Sequence, residues 1–174
     1  VLEAEGLSGG RSSADARINR AIRNCRKNRT AMQYDDALKQ VTEGVFSSMI
    51  GPVPESVDPE TPDPDGLQAV VRITGDWHGA VTVRGSATLA KRAASAMFGS
   101  PPEETGDAEA RDAFGEIGNM IGGSVKALLP GQCALSIPCV GDSADGGASA
   151  PGETVGRAAF DVEGERLCVT MVSG

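Results

Sequence analysis

The chain has 174 residues, the size of one domain, and is 40% hydrophobic but only 3% aromatic, so its core must be built from Val, Ile, Leu, Met and Ala. No run of 18 apolar residues is present, which excludes a membrane-spanning helix. The charge is uneven: residues 1–31 carry seven Lys/Arg against Glu3, Glu5 and Asp15, leaving 9 basic and 21 acidic residues, a net −12, in residues 32–174. So negative a surface repels phosphate backbones and argues against nucleic-acid binding.

Residues 1–31 form a basic N-terminal extension without an aromatic residue, and Met32 follows it directly. It reads as a disordered tail, a targeting peptide, or codons upstream of a start at Met32. Glu3 and Glu5 speak against an organelle transit peptide, and no apolar secretory h-region is visible. With four scattered cysteines and no secretory context, a reduced, cytoplasmic protein is expected, with the working domain over residues 32–174.

From Tyr34 to Ile50 the spacing of Leu38, Val41, Val45, Phe46 and Met49 predicts a helix, stopped by Gly51-Pro52. Pro54, Pro59, Pro62 and Pro64 keep the stretch to Gly66 an extended loop. Gln68–Thr74 and Ala80–Arg84 read as strands joined by a tight turn over residues 75–79. Ser86 can cap a second helix that buries Leu89, Ala93, Ala96 and Met97 and ends at Gly99. A third helix runs from about Asp107 to about Leu129. Cys133–Val140 alternates as one strand, which would place Cys133, Leu135, Ile137 and Cys139 on one inward face. A Gly/Ser/Asp loop over residues 141–154 then precedes a closing hairpin, Val155–Val162 with Arg166–Val172. This order predicts an α+β domain of mixed α/β layers, with long helices packed on a largely antiparallel sheet.

The third helix sorts its residues sharply. At roughly 100° per residue, Asp112, Asn119 and Gly123 fall within roughly 60° of Glu116, while Phe114, Ile117, Ile121, Val125 and Leu128 gather on the opposite side. Gly115, Gly118, Gly122 and Gly123 each cost about 1 kcal/mol relative to Ala inside a helix. Such local inconsistency marks function or close packing. Gly115, Gly118 and Gly122 share one flank, where another element should approach, and Gly123 leaves room for a partner's backbone beside Asn119. On the pattern alone, carboxylates and an amide on an exposed helix face are usually only a solvated surface.

The run Asp112-Ala-Phe-Gly-Glu116-Ile-Gly-Asn119-Met-Ile-Gly-Gly123 resembles the signature helix of the CheC/CheX family of chemotaxis-type phosphatases, D/S-x-x-x-E-x-x-N-x-x-x-G. Lys126-Ala-Leu-Leu-Pro, Leu135-Ser-Ile-Pro, Thr74-Gly-Asp-Trp-His-Gly-Ala-Val and the helix from Leu89 to Gly99 are also similar, so the resemblance covers about residues 34–172. One copy of the motif is present, as in CheX-like and not the duplicated CheC-like members. Gly118, just before Asn119, departs from the pattern in detail. The resemblance implies a phosphatase acting on the phosphoaspartate of a CheY-like response-regulator receiver. Asn119 would position the attacking water, Glu116 would dock on the receiver's lysine, and Asp112 and Gly123 would contact the partner. Mg²⁺ would be held by the receiver and no cofactor by this chain. The resemblance also implies a homodimer, to which a sheet edge left by the C-terminal strands would contribute. The alternative is a non-catalytic module of the same fold that binds a receiver or a flagellar-switch-type protein.

Other chemistry finds little support. His78, the only histidine, sits in a turn, and no C-x-x-C suggests zinc. Asp63-Pro-Asp65-Gly66 lacks the bidentate glutamate of a calcium loop, and no phosphate-binding glycine loop occurs.

Overall fold

The computed structural model describes residues 34–145 and 150–174. The basic extension over residues 1–31 therefore lies outside the described residues. The elements are α1 (residues 34–49), β1 (Glu55–Val57), β2 (Leu67–Gly75), β3 (Gly79–Gly85), α2 (Ala87–Phe98), α3 (Asp107–Leu128), β4 (Cys133–Leu135), β5 (Cys139–Asp142), a 3-10 turn (Ser143–Asp145), β6 (Glu153–Val162) and β7 (Glu165–Ser173). Seven strands form one sheet in the order β1-β6-β7-β3-β2-β4, with β5 also paired to β2, and every pairing is antiparallel. The expected α+β class and its helix-on-sheet layering are what the chain adopts.

Period-two alternation decides which side of each strand meets the helices. Ala69, Val71 and Ile73 of β2 face α3, and their ladder partners Val83 and Val81, then Val169 and Met171, continue that apolar face across the sheet. α1, α2 and α3 cover it, adding Leu38, Phe46, Leu89, Phe114, Ile117 and Ile121 to a continuous core. α2 is closed as its sequence predicts: Ser86 Oγ accepts from the Leu89 amide at 3.0 Å, and Gly99, in the left-handed region, donates back to Ser95. Ala96, expected inward, is exposed, while Met97 beside it is half-buried against the core.

The opposite face is partly polar, and the proline-rich segment straps across it. Arg157 of β6 donates from Nε to the Pro59 carbonyl at 2.5 Å and from Nη2 to the Thr61 carbonyl at 2.9 Å, and pairs with Asp63 at 2.7 Å. Arg84 of β3 bonds the same Asp63. Asp63 is thus a strap clamp between two strands. Burial raises its pKa, but hydrogen bonds from Cys168 and Arg157 and the charges of Arg157 and Arg84 outweigh that and hold it below its ordinary value.

Further expectations need adjustment. The stretch read as loop contains β1, a three-residue edge strand too short to show a pattern, paired with Asp161–Ala159. The strand expected over Cys133–Val140 is broken into β4 and β5. Between the pairs Ile73↔Leu135 and Val70↔Cys139, β2 advances three residues while the edge segment advances four, so residues 136–138 hold a one-residue bulge. That residue reverses the facing: Leu135 and Val140 share the α3 side, whereas Cys139 and Ile137 are exposed. Finally, β7 lies inside the sheet, while among the described residues β1 covers β6 only along Ala159–Asp161 and leaves the rest of its outer side without a strand partner.

Burial and the negative charge of Asp63 push the Cys168 thiol from its ordinary 9.0 up to about 11. A raised thiol pKa means the fold favours the neutral form, so its contribution is fully present below pH 9 and lost as pH rises toward 11. Denaturant midpoints across this window should fall by an amount equivalent to roughly 2–3 kcal/mol. Cys168→Ala should flatten that part of the curve; an unchanged alkaline slope in this variant would contradict the assignment.

Candidate active site

Local chemistry fixes α3 at its start. Glu109 reaches back so that its Oε2 accepts from the Gly106 amide at 2.9 Å, and Asp107 and Glu109 place negative charge in the first turn. One flank of the helix carries Gly115, Gly118 and Gly122, and here the sheet approaches very closely. A Cβ at Gly118 would lie 2.9 Å from the Ala69 Cβ, and one at Gly122 would lie 3.1 Å from Val71 Cγ1. At Gly115 the neighbours are Val140 at 3.1 Å and Pro138 at 3.9 Å. The element predicted to approach is therefore the sheet, β2 with the edge segment beside it. The departure at Gly118 has its cause here, since any side chain would push α3 off β2.

The opposite flank buries Phe114, Ile117, Ile121 and Val125 in the core. Asp112, Glu116, Asn119 and Gly123 are left on one outward strip: the two carboxylates are exposed, and Asn119 and Gly123 are half-buried. The four residues proposed from the sequence are thus brought together.

Partnering separates this strip from the charged residues of the helix's N-terminal turns. Asp107 pairs with Lys91 at 3.1 Å, Glu109 caps Gly106, and Arg111 forms a two-pronged bond to Asp142 at 2.9 Å on each oxygen. Among the described residues, the side chains of Asp112, Glu116 and Asn119 have no hydrogen bond or ion pair. A carboxylate and an amide one turn apart, both uncommitted, can enter one cleft of another molecule. The amide can donate from its NH₂ and accept through its carbonyl.

The residues set aside stay apart from this strip. His78 is exposed in the β2–β3 turn, and Cys133 and Cys139 lie on opposite faces of the sheet edge. What sequence reasoning missed is the flanking segment 135–140. Its one signal was Pro138 inside an apparent strand, a residue that favours a bulge or an edge.

The family described as chemotaxis phosphatase CheX matches residues 67–160, which hold β2 through most of β6 and the whole of α3. This chain belongs to the CheX family. The fold agrees with solved CheX structures. The chemotaxis protein CheX from Vibrio vulnificus superposes with a TM-score of 0.67 at 17% identity, covering 80% of this chain and 95% of that one. CheX from Desulfovibrio desulfuricans gives 0.66 at 23% identity, covering 82% and 99%. A CheX–CheY–BeF₃–Mg²⁺ complex from Borrelia burgdorferi gives 0.64 at 17% identity, covering 80% and 96%. A comparison with curated proteins finds no match. Among the described residues of this CheX-family chain, no helix is long and apolar enough to cross a membrane.

The two kinds of glycine in α3 should respond oppositely to alanine. Gly118→Ala sets a rigid Cβ against the Ala69 Cβ, and overpacking of this kind should cost about 1–3 kcal/mol. Gly123→Ala meets only Leu135 Cδ1 at 3.9 Å and should gain up to about 1 kcal/mol of helix propensity. Urea unfolding of both variants checks the pair; equal effects would show that α3 is not seated by its glycine flank.

Proposed function

We propose that this CheX-family chain is a protein aspartyl-phosphate phosphatase that acts on a CheY-type response-regulator receiver. The observation that supports it most is the strip of uncommitted Asp112, Glu116 and Asn119 on a helix whose other charged residues near it are internally engaged. A pure structural helix gains nothing from a half-buried amide without a partner. The Borrelia burgdorferi complex joins a CheX of the same fold to CheY with BeF₃ and Mg²⁺, which supports a partner of this class.

In this reading α3 enters the cleft of the phosphorylated receiver. An acyl phosphate needs little chemical activation from the phosphatase; it needs a water in line with the phosphorus. Asn119 holds that water by accepting a hydrogen bond from it at Oδ1, comparable to the water-orienting glutamine of GTPases. The water oxygen bonds to phosphorus, the bond from phosphorus to the aspartate oxygen breaks with its electron pair left on the carboxylate, and inorganic phosphate leaves carrying the water's oxygen and both its protons. Mg²⁺ and a lysine of the receiver neutralise phosphoryl charge. Glu116 pairs with that lysine and aligns Asn119, while Asp112 and Gly123 contact the receiver around it. The protein works in the cytoplasm, where such receivers are found.

The two central residues should separate in kinetics. Asn119→Ala should lower the chemical step by about 100-fold or more while leaving receiver binding nearly unchanged. Glu116→Ala should weaken binding, with the greatest difference from the unsubstituted protein at low salt. Phosphate release and complex formation with phosphorylated receivers measure both. Hydrolysis by Asn119→Ala at the unsubstituted rate would overturn the catalytic role. Binding of a receiver without hydrolysis by the unsubstituted protein would favour a non-catalytic module.

We also propose a homodimer. Among the described residues, sheet edge remains at β1 and along the part of β6 that β1 does not cover, where Asp35 caps one amide by accepting from Arg157 at 2.6 Å. Light scattering should return twice the chain mass at micromolar concentration, and a monomer mass would remove the proposal.

A further inference from the structure

The edge segment beside the candidate site carries, among the described residues, the most exposed of the large hydrophobic side chains. Ile137 is 89% exposed, against 60% for Leu128 and less for Phe98 and Met49. A single exposed aliphatic residue is ordinary, but this one is held out by three separate features. The bulge over residues 136–138 inserts the residue that changes the facing of the edge. Ser136 is tied twice to β2, its amide donating to the Arg72 carbonyl at 2.9 Å and its Oγ accepting from the Arg72 amide at 3.0 Å. Pro138 fixes the next backbone φ and packs over Gly115. The presentation of Ile137 is therefore built into the edge.

Its place along α3 follows from the glycine contacts. Leu135 lies opposite Gly123, and Pro138 and Val140 lie opposite Gly115. The segment between them runs alongside the α3 turns from Gly115 to Gly123, which include Asn119. Leu135, Pro138 and Val140 make a half-buried apolar ridge against α3, and Ile137 stands exposed on the same edge segment. The bulge and Pro138 also interrupt the regular hydrogen-bonding that another strand would need for pairing here.

We infer that Ile137 is a docking anchor for the receiver, burying its side chain on the receiver surface beside the phosphoaspartate cleft when Asn119 is seated. This rests on the function proposed above. The polar strip alone would make a small, wet contact, and an apolar anchor continuous with it supplies affinity that the uncommitted carboxylates do not. Ile137 acts on binding and touches no reacting atom.

The test uses the full chain and CheY-type receivers activated with beryllofluoride and Mg²⁺ for binding, and phosphorylated receivers for turnover. Ile137→Asp should weaken binding about tenfold or more and raise KM by a similar factor with little change in kcat. Ile137→Leu should restore most of the affinity, and thermal unfolding should match the unsubstituted protein because the side chain is solvent-exposed. Asn119→Ala should show the reverse split, retaining affinity and losing kcat. If the unsubstituted protein and Asn119→Ala both bind a receiver while Ile137→Asp binds equally well, the anchor is wrong and the proposed function stands. If the unsubstituted protein binds no receiver tried, the functional reading fails and the anchor with it. A change in oligomeric mass for Ile137→Asp, at unchanged receiver affinity, would overturn the anchor by assigning the ridge to a second copy.

Discussion

The close approach of α3 to β2 is the constraint on which the site depends. Gly118 sits where a Cβ would come within 2.9 Å of Ala69, and Gly122 lies against Val71. Helix propensity is given up along this flank because close packing fixes both the height and the rotation of α3 over the sheet. With one flank seated on β2 and the other buried through Phe114, Ile117 and Ile121, the remaining arc must face outward. That arc carries Asp112, Glu116 and Asn119.

Charge is distributed around this seat in two ways. Lys91–Asp107, Glu109 at Gly106 and Arg111–Asp142 satisfy one another within the domain and tie α3 to α2 and β5. These are exposed or half-exposed pairs, worth little individually as stability; in the Arg111–Asp142 pair a single guanidinium nitrogen is shared between both carboxylate oxygens. The outward strip has no such partner. A helix positioned by its neighbours and presenting unpaired polar groups suits insertion into another molecule's cleft, where the ordering cost is already met before contact.

The other face of the sheet shows why the proline-rich stretch belongs to the fold. Arg157 holds two strap carbonyls and Asp63, while Arg84 bonds Asp63 from the neighbouring β-ladder. Asp63, which in sequence stood in a weak calcium-like run, is a counterion to two arginines. Cys168 lies beneath it as a buried, neutral thiol.

Local periodicity and stop signals were enough to reveal α1, α2, α3, β2, β3 and the closing hairpin, because each rests on its own apolar spacing and punctuation. Ser86 and Gly99 are legible for the same reason: a cap needs only residues within one turn. The strip Asp112, Glu116, Asn119 and Gly123 was also legible, since helical phase alone puts those residues together, and the motif gave them a family. What the sequence could not decide was anything set by pairing between distant segments. β1 exists only because β6 offers it an edge. The facing of Ile137 and Cys139 depends on a bulge defined by register against β2, and simple alternation placed both inward. The glycine flank announced a close neighbour, but only the tertiary structure could name it as Ala69 and Val71, because a missing side chain specifies a distance and not a partner.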